Sequence, residues 1–260
     1  MFKFIHNLIK RTIKNMSIWG QSSKLLEVFF AMVPQTFSQH LISSTNIDKM
    51  RIFFRPLILG DVQVVFTEYE KHISKIFDPK PGDIVFDVGA YIGYPYTLKS
   101  AKLVGNSGKV ISIEPDPRNF RILAMNIKSN KLNNVIFLNV AISDKDGESP
   151  FYVRRHPMVS RMQGPHKPPP QDILETIRVK TRCIDSILEQ YNISKVDWIK
   201  IDAEGAEILC LKGARKTLSY PKINIVLESY PPNRREVIRY LLNNHFKIIP
   251  LSAYELLAYK

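Results

Sequence analysis

Short apolar runs alternate with helical patterns through most of this chain, and that alternation leaves few folds open. Asp83-Ile84-Val85-Phe86-Asp87-Val88 is one run, Lys109 to Glu114 a second and Val135 to Ile142 a third. The rhythm returns with Val196 to Ile201, Ile223 to Leu227 and Phe246 to Pro250. Between the runs, Tyr94 to Val104, Asp116 to Asn130, Glu204 to Leu218 and Arg234 to Asn243 carry helical spacing. Strands that are apolar on both faces and alternate with helices predict a parallel sheet covered on both sides. Right-handed crossovers then make it a doubly wound, mostly parallel α/β sheet.

The pattern places the main domain at residues 79–260, after an N-terminal helical and hairpin extension at residues 1–78. Phe2, Ile5, Leu8, Ile9 and Ile13, then Leu25, Leu26, Phe29 and Phe30, predict two short helices. The first is basic and amphipathic, suited to lying on a membrane surface or to packing as a cap on its own domain. Ile52-Phe53-Phe54 and Val62 to Phe66, about Gly60-Asp61, predict a β-hairpin. Glu68 to Phe77 predicts a helix ended by Pro79-Lys80-Pro81-Gly82. Between Gly147 and Arg182 the rhythm breaks, and Pro150, Pro157, Pro165 and Pro168-Pro169-Pro170 occur there. This reads as a long proline-rich loop, a basic insertion at about 150–176 between two core strands.

Hydrophobic residues make up 45% of the 260 and charged residues 23%, which excludes disorder as the general state. No apolar run approaches the roughly 18 residues that a spanning helix needs, and Phe4 to Ile9 is short for a secretory signal. The expectation is a soluble, cytoplasmic chain, peripheral to the membrane if the first helix anchors it. Cys183 and Cys210 stand alone, so neither a disulfide framework nor a structural zinc site is expected. The charge, 37 basic against 24 acidic residues or +13 in all, is unevenly spread. No acid precedes Glu27, and Arg154, Arg155, Arg161 and Lys167 cluster without one. Such fields attract phosphates, anionic lipids or acidic acceptors. Arg154 and Arg155 are accordingly read as acceptor-binding residues.

In an open parallel sheet, ligands bind beyond the carboxyl ends of the strands, where the winding reverses. The first run ends in Asp87-Val88-Gly89-Ala90-Tyr91-Ile92-Gly93, whose glycines permit a tight turn and close approach of backbone to ligand. The second ends in Glu114, an acid placed to accept both hydroxyls of a ribose. The loop has Tyr91 where a dinucleotide site requires its second glycine. That substitution, with Asp87 at the start of the loop, points to S-adenosylmethionine, which is cationic at sulfur and has no pyrophosphate.

The segments DIVFDVGAYIGYPYTLKSAKLVG, GKVISIEPDPRNFRILAMNIKSN, NVIFLNVAISDKDG, VDWIKIDAEGAEILCLKGARKTL and INIVLES, in that order, resemble the FkbM-type methyltransferase domain over roughly Pro81 to Glu228. IEPDPRNF together with KIDAEGAEILCLKGA is the most specific part. The resemblance implies a class I methyltransferase fold, Rossmann-like, and methyl transfer from S-adenosylmethionine. The expected target is a hydroxyl oxygen on a sugar, glycan or other small metabolite. Tyr91 stands where the family often has Asn, and Pro95 falls in the first turn of the next helix, where proline is tolerated. The resemblance gives Asp87 the task of orienting the loop and, through water, the methionine amine. Gly89, Ala90 and Gly93 would face the methionine portion, Glu114 would hold the ribose, and Asn139 and Ala141 would contact adenine.

The fourth run ends in Lys200-Ile201-Asp202-Ala203-Glu204-Gly205-Ala206-Glu207. An O-methylation needs a base to take the acceptor proton as the oxygen attacks in line. Asp202, Glu204 and Lys200 are the candidate catalytic residues. A carboxylate pair would serve, as would Mg²⁺ held through Asp202 to polarise the hydroxyl. The same acids would equally cap the next helix and complement its dipole. Glu228, ending the fifth run, lines the acceptor side or is solvated. Competing readings are an RNA or amine methyltransferase and a non-catalytic binding protein that keeps the fold. The first lacks an Asn/Asp-Pro-Pro-aromatic motif after the fourth strand, so nucleic acid is not expected as a partner; the complete site speaks against the second.

Overall fold

The computed structural model describes residues 39–67, 70–162, 168–231 and 233–260. The two helices expected before residue 38, together with Pro165 and Lys167, lie outside the described residues. Among those residues, no helix is long and apolar enough to cross a membrane.

The described chain opens with an antiparallel hairpin, β1 (Ser43–Ile47) and β2 (Met50–Phe54). This is not the hairpin expected from the sequence. Leu59–Phe66 forms helix α1, not a second strand, and buries Val62, Val64 and Val65. The Gly60-Asp61 pair lies in the first turn of that helix, where Asp61 complements the dipole. Of the expected helix from Glu68 to Phe77, the described residues form α2 (Lys71–Ser74).

The main sheet then begins. β3 (Ile84–Val88), β4 (Lys109–Ile113) and β5 (Val135–Leu138) run parallel, joined by α3 (Tyr96–Val104) and α4 (Pro117–Ser129). The chain leaves for a smaller sheet made of β6 (Ala141–Ile142), β7 (Gly147–Arg154), β8 (Arg161–Met162) and β9 (Ile173–Arg182). It returns through α5 (Ile184–Gln190) to β10 (Trp198–Ile201), α6 (Glu207–Lys212), β11 (Asn224–Glu228), α7 (Arg234–Asn243), β12 (Lys247–Pro250) and β13 (Glu255–Tyr259).

The main sheet has the order β12-β13-β11-β10-β3-β4-β5. β11, β10, β3, β4 and β5 are parallel, while β13 runs antiparallel to both β11 and β12. Winding proceeds from β3 outward to β5 and then resumes at β10 on the other side of β3, so the reversal falls between β3 and β10. Alternate residues go to opposite faces. Val85, Val110 and Val226 pack with Ala101, Val104 and Leu123. Phe86, Val88, Ile111, Ile113, Ile199 and Ile201 pack with Ile184, Leu211 and Leu241.

Two further expectations change. The run Val135 to Ile142 splits, because β5 pairs with β4 while Ala141-Ile142 pairs with β9. The proline-rich stretch is not a loop throughout, since β7 and β9 pair over most of their length. Phe151, Val153, Met162 and Val179 are buried there against Ala206. Pro150 is tolerated because β8 pairs only with Phe151 and Tyr152, leaving β7 an edge strand at the proline.

The N-terminal hairpin is fastened to α4 by two asparagines one helical turn apart. The Asn126 amide accepts the Phe53 N–H at 2.6 Å and donates to the Phe53 carbonyl at 3.1 Å and the Ile92 carbonyl at 2.8 Å. The Asn130 amide does the same for Arg51, at 2.9 Å and 2.7 Å. An i, i+4 pair on a helix thus reads an i, i+2 pair on a strand, in place of a missing neighbour strand. Asn126→Ala removes three hydrogen bonds at a fully buried position and is expected to cost about 2–4 kcal/mol of unfolding free energy, against about 1 kcal/mol for Asn130→Ala at the open end. Urea denaturation measures both, and equal losses would refute the graded fastening.

Candidate active site

A cleft opens over the carboxyl ends of β10, β3 and β4, at the reversal of winding. In sheet order it is bounded by Asp202, Asp87 and Glu114. The inserted sheet contributes Phe151, Arg161 and Met162 to its wall, and the residues around α2 and α3 contribute Glu70, Tyr94 and Tyr96.

The glycine loop is shaped first by its neighbours. Gly89 has φ of 78°, and a Cβ there would lie 1.8 Å from the Asp202 carbonyl oxygen. The loop therefore packs directly on the end of β10, and only glycine permits that approach. Gly93 is excluded from the cleft, with Leu98 and Leu123 against it. Tyr91, also left-handed at φ 54°, donates its N–H to Glu114 Oε2 at 2.8 Å.

Glu114 is buried and also accepts the Asp116 N–H at 2.8 Å and the Asn119 side-chain amide at 3.5 Å. Burial, then the Asp116 charge, push its carboxyl up to about 8. Asp87 accepts the Thr97 hydroxyl at 2.5 Å through Oδ2, while its buried Oδ1 has no hydrogen-bond partner among the described residues. Asp87 and Lys200 are direct partners across β3 and β10. The Lys200 ammonium lies 3.1 Å from Asp202 Oδ2 and 4.9 Å from the centre of the Tyr96 ring. Burial opposes its charge, but Asp202, Glu70 and Asp87 together hold it above the usual lysine range.

Carboxylates gather on the far side of Lys200. Glu70, Asp202 and Glu228 each bring an oxygen within 4.8 Å of the others. Glu204, left-handed at φ 51°, is pushed up to about 8 by burial and by Asp202 and Glu228, against Arg161. Glu228 is pushed up to about 7, chiefly by burial and Asp202. Glu207 accepts the Gly205 N–H at 2.7 Å and serves the start of α6. That helix begins later than its sequence pattern suggests because Glu204 and Gly205 both carry positive φ.

The cleft thus brings together Asp87, Gly89, Ala90, Glu114, Ala141, Lys200, Asp202 and Glu204. Asn139 stands outside it and donates to the carbonyls of Glu114 and Pro115 at 2.8 Å and 3.0 Å. Glu228 lines an adjoining pocket with Glu70, Lys200, Asp202 and Glu255. Arg154 and Arg155 lie outside the cleft and are engaged within the inserted segment, Arg154 with Asp172 at 3.0 Å and Arg155 with the Gln171 carbonyl at 2.7 Å. Arg161 is the arginine of that segment that lines the cleft. Sequence reasoning missed Glu70, which no motif marks, and the role of Tyr91. It also missed a closed buried ring: the Tyr91 hydroxyl donates to Asp61, Asp61 pairs with Arg55 at 2.8 Å, and Arg55 donates to Asn119 at 2.8 Å. Asn119 and the Tyr91 amide both end on Glu114.

A family model described as the Methyltransferase FkbM domain matches residues 87–248, more than half of the chain. The chain belongs to this family. Its domain is an S-adenosylmethionine-dependent methyltransferase domain. The hexuronic acid methyltransferase AglP of Haloferax volcanii is 28% identical over 145 residues, covering 56% of this chain and 54% of that protein. The crystal structure of a methyltransferase FkbM from Methylobacillus flagellatus KT superposes with a TM-score of 0.50 at 19% identity, covering 72% of this chain and 46% of that one. The chain thus spans about half the length of these matched proteins. The structural likeness shows a shared class I methyltransferase fold.

The buried ring sets a stability test. Asp61→Ala strands the fully buried Arg55 charge, and about 3–5 kcal/mol of unfolding free energy is expected to be lost. Tyr91→Phe, which leaves the ion pair whole, is expected to lose about 1 kcal/mol. Denaturant titration of the two variants reads the difference, and a smaller loss for Asp61→Ala than for Tyr91→Phe would contradict the ring as described.

Proposed function

We propose that this protein transfers a methyl group from S-adenosylmethionine to a hydroxyl oxygen of a sugar, glycan or other small hydroxylated metabolite. The observation that carries the reading is one cleft holding Glu114 and the open oxygen of Asp87 beside the carboxylates of Asp202 and Glu204. The 28% identity to a hexuronic acid methyltransferase supports a sugar as acceptor.

The residues present suit the cofactor. Glu114, already aimed by the Tyr91 amide, would accept the ribose hydroxyls. The unpartnered Asp87 Oδ1 would receive the methionine amine, directly or through water. Gly89, Ala90 and Tyr91 would face the methionine portion, and Ala141 the adenine, with Asn139 steadying the strand end behind Glu114. When bound, the cofactor would supply a methyl group on a cationic sulfur for attack by the acceptor oxygen.

Glu204 takes the acceptor proton. Its raised carboxyl, held among Asp202 and Glu228, titrates close to working pH, where a general base is most effective. Asp202, fixed by Lys200, accepts a second hydrogen bond from the acceptor and orients it. Glu70, Asp202 and Glu228 are also the oxygen donors that a hard dication prefers. The Lys200 ammonium already stands 3.1 Å from Asp202 in that group, so the chain supplies its own positive charge and Mg²⁺ is assigned no step. Cytoplasmic placement and membrane contact through the basic N-terminal segment remain part of the proposal, as does a catalytic unit at residues 79–260.

Isothermal titration with S-adenosylhomocysteine tests the donor site. Micromolar binding is expected, weakened at least about 100-fold in Glu114→Ala through loss of the hydrogen bonds between its carboxyl and the two ribose hydroxyls. No heat with the wild-type protein would overturn the reading. For the chemistry, initial rates on a panel of methyl glycosides should rise with pH through about 8 and then level off, because Glu204 must be ionised to accept a proton. Glu204→Gln is expected to lower kcat by about 10²–10⁴-fold while affinity for S-adenosylhomocysteine stays within twofold. A rate that is flat from acid to alkaline pH would remove Glu204 as the base.

A further inference from the structure

Beside the carboxylate group lies an aromatic pair that neither the cofactor nor the base explains. Tyr230 follows β11 and Tyr254 sits in the turn between β12 and β13. Their ring centroids are 4.5 Å apart with planes inclined by 32°. The tyrosines remain 45% and 46% exposed, the two aromatic residues among the exposed large apolar side chains of the described chain.

The pair is rigidly mounted. The Ser229 N–H donates to the Tyr254 carbonyl at 2.8 Å, joining the two loops. Ser252 Oγ accepts the N–H groups of Tyr254 and Glu255, each at 3.1 Å. The Arg234 guanidinium reaches the carbonyls of both Ser229 and Ser252, at 3.3 Å and 3.4 Å. Exposed aromatic rings held by this many backbone contacts are preorganised, which is how binding surfaces avoid the entropy cost of ordering side chains. The pair also adjoins the carboxylate group. The Tyr230 hydroxyl donates to Glu228, whose carboxylate lies within 4.8 Å of that of Asp202.

We propose that Tyr230 and Tyr254 form a stacking platform for a pyranose ring of the acceptor, with Glu228 taking one of its hydroxyls. The proposal rests on the methyl-donor reading of the neighbouring cleft and names where its acceptor lies. A pyranose has a face of C–H groups that stacks on a phenol ring and a rim of hydroxyls that donate to carboxylates, and both partners are present side by side. A quaternary ammonium would also be drawn to aromatic faces and acids, but cages for such cations surround the charge with aromatic rings. Here the two rings lie against each other and surround no cavity, and Lys200 brings positive charge to the pocket that Glu228 lines.

Saturation-transfer NMR on the full chain bound to S-adenosylhomocysteine tests the platform, using methyl glucopyranoside, methyl galactopyranoside, sorbitol and choline as probes. Contact to the ring C–H protons of at least one pyranoside, and not to sorbitol, is expected. Tyr254→Ala should weaken that binding at least tenfold and Tyr254→Phe should restore it. Calorimetry with S-adenosylhomocysteine, unchanged in both variants, shows that the fold and donor site survive. Stronger contact to choline, pyranoside contact indifferent to Tyr254→Ala, or no pyranoside contact in protein that binds S-adenosylhomocysteine would each overturn the platform. Failure of wild-type protein to bind S-adenosylhomocysteine would instead count against the donor site, since pyranoside contact is read separately.

Discussion

The polar groups at the end of β4 and the start of α4 must be satisfied in a nearly dry environment, and most of the site follows from how they are satisfied. Glu114, Asp116 and Asn119 are all buried there. Asp116 caps α4 by accepting the Arg118 N–H at 2.9 Å, with Pro117 in the first turn. The partners from outside this turn come from distant parts of the chain. The glycine loop supplies the Tyr91 N–H to Glu114, and the N-terminal segment supplies Arg55 to Asn119. The inserted segment offers the Pro157 carbonyl to Asn119 and the Arg154 carbonyl to Arg118, at 3.0 Å and 2.9 Å. A buried polar group left unpaired costs more than a made hydrogen bond gains. The three pieces that wall the cleft are thereby drawn to one helix start.

Charge divides the cleft into two halves with different work. On the β4 side one carboxylate, Glu114, lines the cleft, held by N–H donors and raised by burial and by the Asp116 charge behind it. On the β10 side several acids crowd around one lysine, so that Glu204 and Glu228 are both raised by burial and by Asp202. Like charges cannot all ionise at close range, and the proton they share is what gives such a group acid–base capacity near neutrality. Of the non-glycine residues lining the cleft in the left-handed region, Tyr91 at 54° stands in the first half, and Glu204 at 51° and Glu70 at 47° in the second. Side chains other than glycine occupy that region at a cost, and they persist there when surrounding contacts dictate it.

Much of this was legible in the chain itself. The apolar runs at Ile84–Val88, Lys109–Ile113 and Trp198–Ile201 could only be buried strands, and residues ending such strands had to meet at the winding reversal. Asp87, Glu114, Asp202 and Glu204 follow from that rule without coordinates. The N-terminal hairpin was misplaced because Val62, Val64 and Val65 suit a strand as well as a helix when short, and the buried contact of Asp61 with Arg55 decides between them. The inserted segment looked like a loop because its prolines outweighed the alternation of Phe151 with Val153, which becomes meaningful only once Ala206 and Ala141 lie beneath them.

What the sequence determined alone was periodicity: which residues face inward, which end strands, and hence the order of the strand-end acids around one cleft. Tertiary structure decided everything that depends on partners far apart in the chain. Gly89 is glycine because the Asp202 carbonyl would lie 1.8 Å from a side chain, a contact across two strands that no local pattern encodes. Glu70 enters the acidic group, and Arg154 leaves the acceptor wall for Asp172, for the same reason. Hydrophobic periodicity is local and repeats, so it can be read from spacing. The satisfaction of a buried charge depends on whatever the fold happens to bring beside it.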